Sequence, residues 1–335
     1  MARPASTLRY LPAADVEAAM PSPEERLALA ETTLTALVEH AELPAKIGVH
    51  PRPNGSFAHA MPAFLRGPAA DGSGDGLGIK WVAGFGDNAR SGLPAINALV
   101  LLNDPSTGLP IAVLNGGPIT AQRTAAVTGV AVRRFAPTVE GRSPKVALIG
   151  AGVQGHSHVA VLGHVLPGAE LAIFDRNLDR AKALADRAGT GSGIAAASVA
   201  GSARAAVAGA DVVVTAISFA APAERQAMTL DWLAPRSLVV AVDYATLVAA
   251  EVARDAALFL VDDRGQFIVN RDAGAFDGYP DPAATIGEAI LAGAPSPTEG
   301  RVLVTHLGVG LADVAFGLAI LDRAERLGLG VNLPR

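Results

Sequence analysis

KVALIGAGVQG, residues 145–155, is the stretch whose reading decides the fold. An apolar run, 146–149, leads directly into Gly150, Gly152 and Gly155 in G-x-G-x-x-G spacing, and QGHSHVAVLGHVL follows at helical length. In that setting each glycine has a task. The first permits the tight turn, the second lets a pyrophosphate approach the backbone, and the third allows the helix to pack closely on the sheet. The helix start then offers free N–H groups and the positive end of its dipole to phosphate. A second strand, ELAIFD, ends at Asp175, where a carboxylate accepts a ribose 2′-hydroxyl and repels a 2′-phosphate. The pattern is a Rossmann dinucleotide-binding fingerprint that favours NAD over NADP, with Arg176 beside the acid leaving some tolerance for NADP. A FAD fingerprint ordinarily stands at the start of its chain, and this one does not.

Outward from the fingerprint, strands and helices alternate. DVVVTAI and SLVVAVD read as further short apolar strands, AKALADRA as a helix, and the Gly/Ser/Ala-rich segment 189–209 as a loosely patterned strand and helix. Such alternation implies right-handed crossovers and a parallel, doubly wound sheet. Upstream, Ser22-Pro23-Glu24-Glu25 places an N-cap serine, a proline at N1 and a glutamate at N3, so a helix is expected over 23–40. Residues 46–114 read mainly as strands, with Pro105-Ser106-Thr107-Gly108 turning a hairpin. A helix is expected over 120–135, and the last clear element is a helix over 311–327 closed by Gly328. The fold class is therefore α/β. A Rossmann dinucleotide-binding domain, 123–309, is inserted in a discontinuous α+β domain made of 1–122 plus 310–335.

Bulk composition narrows the function classes. Half of the residues are hydrophobic, but much of that is alanine, and no apolar run reaches the roughly 18 residues of a membrane span. The most apolar stretch, 193–221, is interrupted by Arg204 and Asp211. The N-terminal stretch lacks a basic patch followed by an apolar core, so no secretory signal is expected and a cytoplasmic location is. The absence of cysteine removes disulfides, thiolate metal sites and a cysteine nucleophile. A net charge of −5 with no basic stripe disfavours a nucleic-acid partner. No HExxH or similar spacing points to a metal.

The region before the fingerprint carries a resemblance. Met61-Pro62-Ala63, GIKWVAGFGDNARSGLP (78–94), ALVLLNDPSTGLPIAVLN (98–115), ITAQRTAA (119–126), VALIGAGVQG (146–155) and HLGVGLADVA (306–315) follow one another in an order that resembles the ornithine cyclodeaminase/mu-crystallin family. The resemblance implies hydride exchange between a nicotinamide and a carbon bearing an amino or imino nitrogen. It covers ornithine cyclodeaminase-like lyases, amino acid dehydrogenases and ketimine reductases. It also implies a homodimer joined through the N-terminal domain, which would carry both the substrate-binding and dimerisation roles. A non-catalytic NAD(P)H- or small-ligand-binding protein of the mu-crystallin type is the alternative.

By that resemblance Lys80 and Arg123 are site residues, and Asp243, at the end of SLVVAVD, takes the catalytic aspartate position. A small amino or imino acid presents a carboxylate that a guanidinium can clamp with two parallel hydrogen bonds. Arg123 is the first choice for the clamp, with Lys46, Met61 and Lys80 completing the substrate set. Lys80 and Asp243 are the candidates for moving the proton. The cofactor set comprises Thr124, Gly150, Gly152, Val153, Gln154, Gly155, Asp175, Arg176, Thr215 and Ala216. Taken alone, Lys80 reads as a surface lysine at a strand start, Arg123 as a solvated or phosphate-binding residue, and Asp243 as a turn cap. His50, His59 and His306 read as structural.

Three departures from the family pattern bear on the substrate. Pro44-Ala45-Lys46 has a lysine where the family often has arginine. Leu114-Asn115-Gly116-Gly117 replaces a Met-Asp-Gly-Thr segment. Asp243 is followed by Tyr244-Ala245-Thr246-Leu247-Val248 instead of a short Pro-Gly-Lys stretch, which favours a substrate less charged than ornithine.

Overall fold

The computed structural model describes residues 7–52, 55–69 and 72–335. Residues 1–6, part of the start read as lacking a secretory signal, lie outside the described residues. The chain divides into two compact units, 1–123 with 308–335 and 124–307. Among the described residues no helix is long and apolar enough to cross a membrane.

The first unit is built on a mixed sheet. Its long strands Phe57–Leu65, Gly76–Gly84, Ile96–Asn103 and Pro110–Asn115 pair antiparallel in succession. Two elements absent from the sequence reading extend it: Thr7–Leu11 runs parallel to Pro110–Asn115, and Val331–Pro334 runs antiparallel to Thr7–Leu11. Helix Gly310–Leu327 is thus not the last element. It lies across one face of the sheet, against strands Phe57–Leu65, Gly76–Gly84 and Ile96–Asn103, and ends at Gly328 in the left-handed conformation. The period-2 alternation of these strands puts Met61, Lys80, Val82, Val100 and Leu102 on the covered face. Helix Pro23–Glu39 packs on Gly310–Leu327 and begins with the expected capping box, Ser22 with Glu25.

The second unit holds an all-parallel eight-stranded sheet. In chain order its first five strands are Lys145–Ile149, Glu170–Phe174, Ala196–Val199, Val212–Thr215 and Leu238–Ala241, arranged 3-2-1-4-5 across the sheet. Val302–Thr305, Leu258–Val261 and Ala284–Thr285 continue it on the far side. The segment 189–209 does contain a strand and a helix, Ala196–Val199 and Ala203–Val207. The order reverses direction between Lys145–Ile149 and Val212–Thr215, and ligands of such sheets bind at that switch point, off the carboxyl ends of the strands.

Helix Val153–Val165 packs tightly enough that its glycine at 163 is obligatory. A Cβ there would fall on the Ser192 carbonyl oxygen, backbone that cannot swing aside. Glycine-to-alanine in a helix interior ordinarily gains about 1 kcal/mol. Gly163→Ala is expected to reverse that sign and destabilise the protein by about 2 kcal/mol through overpacking. Urea unfolding tests this, and a stabilised variant would contradict the close packing.

Candidate active site

In the first unit the covered sheet face buries an ionic cluster. Lys80 lies in the middle of strand Gly76–Gly84, not at its start, and is only 1% exposed. Its Nζ sits 2.7 Å from Asp313 Oδ2, and Arg123 Nε donates to Asp313 Oδ1 at 3.1 Å. Asp313 is fully buried in the first turn of helix Gly310–Leu327, where the helix dipole favours a negative charge. Arg123 projects from helix Gly116–Phe135 and is buried as well. Gly308 (φ +80°) makes room for it: a Cβ there would stand 2.5 Å from Arg123 Nη1. Met61 pairs with Lys80 in register and is buried beside it. Lys46 stands half-buried ahead of strand Ile47–Val49, close enough to act on Lys80 electrostatically.

The charges here are mostly of one sign. Burial and the adjacent Arg123 push Lys80 down to about 7, against the opposing pull of Asp313. Burial, with Lys46, His50 and Lys80 nearby, takes His59 down to about 4; its ring stacks on Phe57. One buried carboxylate thus faces several cation-forming groups, the electrostatic profile of a site that receives an anion.

The second unit holds the glycine loop and Asp243. Gly150 adopts φ +112°, closed to most side chains, and a Cβ on it would strike the Ala216 carbonyl across the switch point. Gly155 lies over the Gly150 carbonyl in the same way, whereas a Cβ on Gly152 would meet nothing within 4 Å. Gly152 therefore leaves open space at the N-terminus of helix Val153–Val165, whose N-cap makes no side-chain hydrogen bond and whose first residue, Val153, is exposed. Asp175 braces the loop by accepting the Ala151 N–H at 2.8 Å and the Asn177 N–H at 2.7 Å; Arg176 is exposed beside it. An open cradle of backbone N–H groups with a carboxylate beside it fits a dinucleotide.

Behind the loop runs a buried chain of side chains. His158 Nδ1 donates to the Gln154 carbonyl at 2.6 Å, and its Nε2 meets Thr128 Oγ1 at 2.9 Å, which also meets His306 Nε2 at 2.9 Å. A carbonyl only accepts, so a neutral His158 must accept from the Thr128 hydroxyl, which in turn accepts from His306. Burial holds His158 down to about 4, consistent with the neutral form. His306 is thereby placed in a structural chain that steadies the helix start.

Asp243 follows strand Leu238–Ala241 and is buried. It accepts from the Thr215 hydroxyl at 2.8 Å and from the Ile217 N–H at 3.2 Å, and burial outweighs both and lifts it to about 7. Tyr244, next in sequence, is held at φ +61°; its ring stacks on Phe276 at 5.4 Å and meets Phe219 edge-on at 5.1 Å. Phe219 is 57% exposed. Thr124 is buried at the start of this unit. Among the described residues no group of three or more His, Asp or Glu is placed to hold a metal ion.

Residues 12–267 match the ornithine cyclodeaminase/mu-crystallin family. The chain belongs to that family. The nodulation efficiency protein NfeD of Rhizobium meliloti is 35% identical over 294 residues, 86% of each chain. Mouse ketimine reductase mu-crystallin is 30% identical over 271 residues, covering 79% of this chain and 80% of that one. Among solved structures, Thermococcus litoralis Δ1-pyrroline-2-carboxylate reductase in complex with NADH and L-proline has a TM-score of 0.84 at 25% identity, over 97% of this chain and 100% of that one.

Within this family member the structure joins Lys80, Arg123, Met61 and Lys46 in one neighbourhood, and the glycine loop with Asp175, Thr215, Ala216 and Asp243 in another. The sequence reading gave no role to Asp313, although it stands inside the HLGVGLADVA segment. A lone acid within the apolar run 310–321 that opens the helix was the available signal.

The raised Asp243 makes stability depend on pH. Unfolded, the carboxyl loses its proton near 3.8; folded, near 7. Between those values the folded chain holds a proton that the unfolded chain lacks, so this stabilising contribution is lost as pH rises through about 7. Asp243→Asn, neutral throughout, is therefore expected to gain stability over the parent protein as pH goes from about 4 to about 8. Urea unfolding across that range reads the slope, which is independent of any constant offset from the altered hydrogen bonds; parallel curves would refute the raised value.

Proposed function

We propose that the protein is an NAD(H)-dependent imino acid reductase, working in reverse as an amino acid dehydrogenase, on small substrates whose carboxylate binds at Arg123 and Lys80. The observation that carries the reading is the buried Lys80–Asp313–Arg123 cluster, a built site with room in its charge balance for one anion. When bound, the dinucleotide supplies the hydride. Gly150, Gly152, Val153, Gln154 and Gly155 would hold its pyrophosphate, and Asp175 its ribose, favouring NAD over NADP; Arg176, Thr124, Thr215 and Ala216 complete that set.

This chain's own groups then have definable tasks. Arg123 clamps the carboxylate through its planar fork. Met61 and Lys46 flank the clamp. Adding hydride to a C=N carbon leaves the nitrogen needing a proton, and Lys80 and Asp243 both exchange one near neutral pH, each held at about 7 by burial. The Tyr244-Ala245-Thr246-Leu247-Val248 segment after Asp243 carries no charge, which supports an uncharged substrate side chain over one ending in a second ammonium, and thus a reductase over an ornithine cyclodeaminase. Mouse mu-crystallin and the Thermococcus protein, both named as reductases of C=N compounds, support the same class.

The test follows loss of NADH absorbance with Δ1-pyrroline-2-carboxylate, Δ1-piperideine-2-carboxylate and pyruvate plus ammonia, with ammonia release from L-ornithine measured alongside. Stoichiometric NADH consumption with an imino acid is expected. Ammonia from ornithine without net NADH change would make the enzyme a cyclodeaminase, and NADH binding without turnover would make it a binding protein. Arg123→Met is expected to raise KM for the imino acid about 100-fold, the loss of a charge-assisted pair, with NADH affinity unchanged.

A homodimer through the first unit is part of the same reading. The sheet face opposite helix Gly310–Leu327 carries a row in register, Ile47–Ala60–Trp81–Leu99, in which Trp81 is 49% and Leu99 45% exposed. Exposed apolar side chains in a continuous row mark an association surface. Light scattering coupled to gel filtration should give twice the chain mass for the parent protein and the single mass for Trp81→Lys; a monomeric parent would remove this interface.

A further inference from the structure

The cluster around Lys80 contains an imbalance. A guanidinium is a permanent cation, and the one carboxylate between Arg123 and Lys80, that of Asp313, cancels one positive charge only. A protonated Lys80 would therefore leave one uncompensated positive charge in a buried site, with Lys46 adding repulsion of the same sign. Lys80 is the member that can relieve the imbalance by giving up a proton.

We propose that burial and Arg123 hold Lys80 uncharged before a ligand binds, with Asp313 fixing its Nζ, and that a ligand carboxylate arriving at Arg123 draws one proton from solvent onto Lys80. The proposal rests on the carboxylate site described above and deepens it. The carboxylate brings the missing negative charge, so the ammonium form, disfavoured before, becomes the neutralising one. The balance is simple: Lys80 Nζ, an amine with a free lone pair, takes up one proton from water as the anion binds and releases it as the anion leaves. Asp313 acts as a positioning residue, fixing Nζ at 2.7 Å and keeping its lone-pair and ammonium forms close in energy. Within this unit the groups facing Lys80 are Arg123 on helix Gly116–Phe135, Asp313 on Gly310–Leu327, His59 on Phe57–Leu65, and Lys46 ahead of Ile47–Val49. Depression of Lys80 to about 7 agrees with this geometry. The consequence is an enzyme that charges its own acid only when substrate is present.

The chain makes the proposal directly measurable, because it holds only four lysines: Lys46, Lys80, Lys145 and Lys182. Full-length protein labelled with [ε-13C]lysine gives one Cε signal for each, assigned by single Lys→Arg replacement of the other three. The probe is pyrrole-2-carboxylate, which carries a carboxylate and no basic nitrogen, so any proton taken up belongs to the protein. The expected result is a Lys80 midpoint well below that of an ordinary lysine in the free protein, rising by about one pH unit or more when the probe saturates. Calorimetry in buffers of different ionisation enthalpy should show proton uptake approaching one per ligand at a pH between the two midpoints. Asp313→Asn should lower the free midpoint further, whereas a merely structural role for Asp313 would leave it unmoved in the folded variant.

A free-protein midpoint above about 10, or a midpoint that stays put while the probe perturbs other signals, overturns the inference and leaves the reductase reading intact. If neither pyrrole-2-carboxylate nor acetate at tens of millimolar perturbs any lysine, the carboxylate site fails and takes the inference with it. The NADH assay then decides separately whether the reductase reading survives.

Discussion

Three ionisable side chains buried against one sheet face, Lys80, Asp313 and Arg123, set the terms for much of the first unit. Charges are costly to bury unless they are paired, so the elements that carry them cannot be placed independently. The strand Gly76–Gly84 must present Lys80 inward, helix Gly310–Leu327 must open with Asp313 over it, and helix Gly116–Phe135 must bring Arg123 to the other carboxylate oxygen. These elements lie far apart in the chain, and Asp313 is the single atom group that answers to both of the others. Gly308 belongs to the same constraint, since any side chain there would displace the guanidinium.

The second unit meets a different demand, that of keeping a glycine loop open at the carboxyl end of a parallel sheet. Asp175 and the His158–Thr128–His306 chain both brace it, one accepting the Ala151 N–H and the other holding the Gln154 carbonyl. Asp243 shows the cost of burying a carboxyl: the Thr215 hydroxyl and the Ile217 N–H do not offset desolvation, and the group stays protonated to near neutrality. Each unit thus contains one group poised near pH 7, reached by opposite routes, a base pushed down and an acid pushed up by the same loss of water.

Much of this was legible in the residues. The glycine spacing with a strand before and a helix after, and the capping box at Ser22, are local patterns, and local patterns survive in any tertiary setting. The strands Thr7–Leu11 and Val331–Pro334 were not legible, because each is short and is stabilised by a partner from the other end of the chain. Lys80 is the instructive case. By composition and position it reads as a surface lysine, and only the resemblance to a known family argued otherwise. Its burial depends on a helix more than 230 residues further along the chain.

What the sequence determined by itself, then, was the order of elements, the doubly wound sheet, the nucleotide loop and the identity of the groups able to carry charge. Those follow from periodicity, turn chemistry and residue type, which act over a few positions at a time. The tertiary structure alone decided that Asp313 stands between Lys80 and Arg123, that His306 serves the fingerprint helix through Thr128, and that Lys80 and Asp243 lose water enough to titrate near neutrality. The reason is physical: desolvation and charge pairing depend on which surfaces come together, and no window along the chain contains both partners.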